Sequence, residues 1–228
     1  MNKNLLNLYS RHWSDMVSSL EGNQLSNPLL LYINDEDKYK YADIKIMFFG
    51  QETNTWEGEL GNKSIDELLV TYSNFFGNGK CFKYGGPFWN TVKDYVNTIK
   101  QLNPDKSVEC VWNNIIKIGK EKTKGAPDKS LVNIQKEKFP VIKEEIEILK
   151  PDLIIFFTGP NYDQYIKTEW RDLKINSVNS WETRKIALLK HELLPNNTIR
   201  TYHPNFMYMK GKQFYSNIKD SITTNILS

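Results

Sequence analysis

Cysteine is nearly absent from this chain. Two in 228 residues, Cys81 and Cys110, are too few for a disulfide framework or for a four-cysteine zinc or iron–sulfur site, so a reducing, intracellular (cytoplasmic) setting is expected. Long apolar runs are missing as well. Nothing approaches the roughly 20 residues that a membrane span needs, and a mean hydropathy of −0.55 suits a soluble globular protein with no membrane partner. The first residues are polar and begin directly with a helical pattern, so a cleaved leader is not expected. Neither GxxxxGK(S/T) nor GxGxxG occurs, which removes the commonest phosphate- and dinucleotide-binding loops. No charge of one sign dominates: a formal net charge of +3 permits a nucleic-acid partner without arguing for one. Internal repeats, low-complexity tracts and linkers are also lacking. The length suits one α/β domain or at most two small ones, and without a linker a single domain over 1–228 is expected.

What is present is a series of short apolar runs, each ending in a polar turn. Ile44 to Phe49 shows no usable alternation and stops at Gly50, which reads as a strand buried on both faces, as in a parallel sheet covered by helices. Gln51 and Glu52 follow at its C-terminal end, where open α/β sheets place their ligands. Three further runs behave alike. Val108–Trp112 ends in Asn113-Asn114, Leu153–Phe157 in Thr158-Gly159-Pro160-Asn161, and Thr198–Tyr202 in His203-Pro204-Asn205. Between them, helices are expected over Leu5–Leu20, over Ile65–Phe76 with Ser64 as cap, from Pro87 to about Leu102, from about Pro140 to Lys150, from Tyr162 to Lys167, and from Gln213 to Leu227. The segment 117–129 reads as a basic loop, and 169–190 is ambiguous. Strand–helix alternation predicts a three-layer α/β/α fold around a central, mostly parallel sheet of about four strands. The four turns then lie along one edge. Alone, Glu52 is as readily a solvated turn residue; their convergence favours a site.

These turns resemble the motifs of the uracil-DNA glycosylase superfamily. GQETN after the first strand resembles the family's GQDPY motif, and TYHPNFM after the last resembles its HPS-type motif. GGPFWNTVKDYV is similar to the family's Phe-bearing helix start, NNIIK to its pyrimidine-reading Asn segment, and KPDLIIFFTG to the strand before the second motif. The resemblance covers roughly residues 42–212 with the motifs in family order. The departures are Glu52 for the family's Asp, Thr53 and Asn54 for its Pro and Tyr, and Asn205 for its Ser; the iron–sulfur branch is excluded by the cysteine count.

What the resemblance implies is a monofunctional DNA glycosylase that acts as a monomer on single- or double-stranded DNA, with no metal and no cofactor. Such an enzyme flips a nucleotide into a pocket and reads its Watson–Crick edge. Phe88 would stack on the base and Asn114 would read its edge, with Asn113 as the competing reader. Gly50 and Gln51 would hold the base, and Asn54 would face the pyrimidine 5-position. Glu52 would stabilise the sugar cation and handle the water. His203 would donate to the departing base. Pro204, Asn205, Met207, Lys210, Lys212 and Lys117 would touch DNA, with Met207 as a wedge on an exposed loop and the lysines on phosphates. Each of these has an ordinary alternative: a core Phe or Met, a turn Asn, a structural His, a solvated lysine.

Overall fold

The computed structural model describes residues 1–226. Its helices are α1 (Asn2–Leu20), α2 (Glu36–Lys40), α3 (Ile65–Tyr72), α4 (Cys81–Tyr84), α5 (Pro87–Leu102), α6 (Lys129–Lys138), α7 (Ile142–Leu149), α8 (Asp163–Glu169), α9 (Pro204–Met209) and α10 (Lys212–Ile226). The strands are β1 (Ile44–Glu52), β2 (Val108–Ile116), β3 (Leu153–Phe157), β4 (Lys174–Ser177), β5 (Ile186–Lys190) and β6 (Asn197–Thr201). Leu227, the expected last residue of the terminal helix, lies outside the described residues. Among the described residues, no helix is long and apolar enough to cross a membrane.

The sheet has six strands in the order β2-β1-β3-β6-β5-β4. The four strands expected from sequence form a parallel block, β2, β1, β3 and β6. The expected count of about four is corrected by β5, antiparallel to β6, and β4, antiparallel to β5. Both arise in or beside the ambiguous segment. β4 is an edge strand whose residues are mostly exposed, so no apolar run marks it.

Burial on both faces explains the unbroken apolar runs. Met47, Phe49, Ile154 and Phe156 point to the face covered by α1, α6 and α7. Phe48, Ile155 and Phe157 point to the face covered by α5 and α10. Neighbouring strands pair aromatic with aromatic: Phe48 stacks on Phe157 (5.7 Å) and Phe49 on Phe156 (4.5 Å). α3 opens with a capping box between Ser64 and Glu67 and ends at Tyr72, after which Ser73–Gly77 forms a wider π-helical turn. α6 gives little sequence signal because it buries polar residues, among them Lys136, which is ion-paired to Glu169 of α8.

The order of the parallel block has a consequence for function. The chain passes from β1 to β2 on one side, then returns to β3 on the other side of β1. The sheet's topological switch point therefore lies between the C-terminal ends of β1 and β3, where open α/β sheets leave a crevice for ligands.

Candidate active site

A cavity of about 230 Å³ opens at this edge of the sheet, across the C-terminal ends of β1, β3 and β6. Gln51, Tyr162, Arg184, Tyr202, His203 and Phe206 are among the residues that line it. Gln51 bridges the two strands by donating from Nε2 to the Thr158 carbonyl (2.8 Å).

Glu52 ends β1 beside Ile116 of β2. Its Oε2 accepts a hydrogen bond from the Tyr162 hydroxyl. Partial burial raises its pKa above the ordinary carboxylate value, while the Tyr162 hydrogen bond and Lys120 pull the other way. The Tyr162 phenol is itself pushed up, first by burial and then by Glu52, so it acts as a donor throughout the physiological range. The backbone just beyond is clamped. Thr53 is buried and its hydroxyl bonds Ser26 Oγ (2.9 Å), which in turn accepts the Gly119 amide (2.9 Å).

His203 caps the start of α9. Its Nδ1 accepts the Asn205 backbone N–H (3.2 Å), so in the neutral ring the proton sits on Nε2. Burial draws the His203 pKa down to about 4. At neutral pH the ring is an uncharged donor whose Nε2 has no partner among the described residues.

Behind these groups lies a second, closed cluster. β2 runs four residues past the expected end and includes both asparagines, whose side chains alternate across the sheet. Asn113 donates to Glu145 Oε2 (2.8 Å) and accepts from Lys117 Nζ (2.8 Å), so it belongs to a buried polar network on the far face. Asn114 lies on the near face, opposite Gly50. Its Oδ1 accepts from Trp112 Nε1 (3.3 Å), while its Nδ2 is buried with no hydrogen-bond partner. Phe88, in the first turn of α5, packs edge-on against Phe157 (6.2 Å) and lies near-parallel to the His203 ring (5.9 Å, 24°).

Gly50 is what lets this cluster close. A Cβ there would stand 2.4 Å from Asn114 Oδ1 and 3.5 Å from Phe88 Cε2. Gly50→Ala is therefore expected to displace Asn114 and to cost about 1–3 kcal/mol of stability, the usual range for overpacking. Denaturant unfolding of the variant checks this.

The structure thus brings Gly50, Phe88 and Asn114 together, and Gln51 and His203 around the cavity, with Glu52 joined to its wall through the Tyr162 hydroxyl. It does not open the first group to the second. A base sandwiched between Phe88 and His203 needs two contact distances, about 7 Å, so the His203 ring has to yield before a base stacks on Phe88. Asn54 is exposed just beyond β1 and does not line the cavity. Three expected surface contacts are corrected. Lys117 is fully buried and bonds Glu145 Oε1 (2.8 Å) in the Asn113 network, so it is no phosphate contact. Met207 is fully buried in the core under α5 and α10, because it faces inward from a helix and not outward from a loop. Pro204 is buried at the first position of that helix. Asn205, Lys210 and Lys212 are exposed as expected, and the outward apolar residues of α9 are Phe206, Tyr208 and Met209, the last 84% exposed.

Tyr202 and Phe206, which flank His203 in its motif, line the cavity without having been expected as site residues, and two more cavity residues escaped the sequence reading altogether. Tyr162 directly follows the Thr158–Asn161 turn, and extending that turn by one residue would have found it. Arg184 lies in the ambiguous segment and carries no signal. Its loop is pinned from the core by Arg200, which pairs with Asp163 through two bonds (2.9 and 3.0 Å) and donates to the Thr183 (2.7 Å) and Arg184 (3.0 Å) carbonyls. No protein-family model matches the chain, and no curated protein is similar to it in sequence.

Proposed function

We propose that the chain is a divergent member of the uracil-DNA glycosylase superfamily that hydrolyses the N-glycosidic bond of a flipped uracil or 5-modified pyrimidine in DNA. The observation that carries this reading is the buried, unpartnered amide nitrogen of Asn114, whose side chain lies against Gly50 next to the Phe88 ring, itself near-parallel to His203. A buried donor left unsatisfied costs roughly 1–3 kcal/mol, and a pyrimidine carbonyl would recover that cost.

In this reading the C1′–N1 bond breaks with positive charge on the sugar and negative charge on the base. His203 donates from Nε2 to the base oxygen, and Glu52 supports the sugar cation. Water adds to C1′, and its proton passes to Glu52. Monofunctional action leaves an abasic site and an intact strand. Asn54, polar and exposed beyond β1, puts no aromatic wall over the pyrimidine 5-position, so polar 5-substituents are expected to be accepted alongside uracil. The DNA backbone follows Asn205, Lys210 and Lys212. Met209, exposed on α9 where Met207 is buried, is the wedge.

The test is a base-release screen over uracil, hypoxanthine, xanthine, 5-hydroxymethyluracil and 5-modified cytosines, in single-stranded and duplex DNA. Closure of Phe88 on His203 favours a second reading, a relative that binds nucleic acid without chemistry, and lack of release across the whole panel selects it.

Two variants separate wedge from core. Met209→Ala is expected to weaken duplex excision more than single-strand excision, because a single strand needs little unstacking. Met207→Ala is expected to lower stability by about 2–5 kcal/mol and to reduce both activities alike. Lys210→Ala with Lys212→Ala should flatten the slope of log K against log salt by about 0.9 per lost duplex contact, or about 0.7 on single strands. An unchanged slope removes both lysines from the interface.

A further inference from the structure

Deepening the glycosylase reading and resting on it, we infer that Tyr162 is a positioning residue that locks the Glu52 side chain in the orientation needed to serve the reacting sugar. Glu52 is one methylene longer than the Asp its motif resembles, so it has one more torsion to fix. An acid that must act at one point gains from a partner that removes that freedom. Tyr162 is placed to do so, lining the cavity with its hydroxyl on Glu52 Oε2.

Tyr162 is itself held on both sides. It ends the short turn Pro160–Tyr162, its N–H donates to the Gly159 carbonyl (3.2 Å), and its ring packs on Tyr165 (5.4 Å). The next residue, Asp163, is clamped by buried Arg200 of β6, three residues before His203. One guanidinium therefore ties the turn that holds Glu52 to the strand that delivers His203. The two sides of the cavity keep a fixed separation through it.

Among the described residues, the titratable groups acting on Glu52 are Tyr162 and Lys120, the latter from the segment after β2. A phenol donates more strongly to a carboxylate than to a neutral carboxyl and so favours the charged form. Deleting its hydroxyl leaves burial opposed by Lys120 alone. In Tyr162→Phe the titration of Glu52 is expected to move up by about 1–2 pH units, the size of a hydrogen bond to a charged group. The acid limb of kcat should move up by the same amount, with KM little changed. Tyr165→Phe, which removes a neighbouring hydroxyl from α8, should change neither.

The experiment is a carboxyl-13C NMR titration of the glutamates in the full chain, with Glu52 assigned through Glu52→Gln, run beside pH–rate profiles on uracil-containing single strands. An upward shift of both the Glu52 midpoint and the acid limb supports the assignment. An unmoved Glu52 midpoint in Tyr162→Phe overturns it, whatever the rates. If the wild type releases no base at all, the glycosylase reading and the catalytic purpose fail together, and the NMR midpoint still decides the pairing by itself.

Discussion

Replacing His203 by Ala is expected to lower the rate of base release about 100- to 1000-fold, the usual cost of losing one preorganised donor to a developing anion. Glu52→Gln is expected to fall at or beyond the same range, since it removes the negative charge that the proposed reaction sets against the sugar cation while keeping the size of the side chain. Single-turnover rates on a substrate the wild type cleaves check both. The pH dependence sharpens the expectation for His203. Its ring resists protonation down to about pH 4 against an ordinary 6.5, so it remains a neutral Nε2–H donor across the working range. Its ionisation therefore produces no break in rate between pH 6 and 7. Stability behaves differently. Between about pH 6.5 and 4 the unfolded chain takes up a proton that the folded ring refuses, so this contribution to stability is complete above 6.5 and is lost as the pH falls. His203→Ala should flatten that part of a melting-temperature profile.

Lys117→Met destabilises the fold by about 3–5 kcal/mol, because it leaves a buried carboxylate without its cation. Lys117 and Glu145 are both fully buried, and the network extends to Asn113 and to Tyr9, whose hydroxyl donates to Glu145 Oε1 (2.8 Å) and accepts the Leu31 amide (2.9 Å). Burial lowers the Lys117 pKa, and Glu145 opposes that shift. Adding Glu145→Gln to the variant is expected to restore part of the loss by removing the stranded charge. Urea unfolding of the single and double variants measures both effects. The salt slope of DNA binding, measured on whatever folded protein remains, should be unchanged.

Lys117 also shows where a sequence stops being informative. A lysine after a strand and before a basic run reads as a surface charge, and nothing local reveals that a carboxylate 28 residues later meets it inside the core. Met207 fails for a related reason: in a six-residue helix the inward and outward residues alternate too quickly for a periodic signal. The parallel block was legible because each of its strands is buried on both faces and ends in a polar turn. β4 was not, since an exposed edge strand has no apolar run to betray it. At the candidate site, Gly50, Phe88 and Asn114 were legible as a group through motif order. The motif favours Asn114 over Asn113, and the register of β2 against β1 with the partners of Asn113 on the far face supplies the physical reason. The Tyr162–Glu52 contact joins residues 110 apart in sequence and follows only from the adjacency of β1 and β3.

The central claim is that Glu52 and His203 flank a glycosidic bond and break it by hydrolysis. It is tested most directly by incubating the wild type and the Glu52→Gln/His203→Ala double variant with the modified-base panel and measuring free base by mass spectrometry. Strand integrity is scored before and after alkali. The account predicts that the wild type releases free base and leaves an intact strand that alkali then cuts, while the double variant releases none above background. Equal release by the two proteins, or no release by the wild type from any substrate in either single-stranded or duplex DNA, contradicts it.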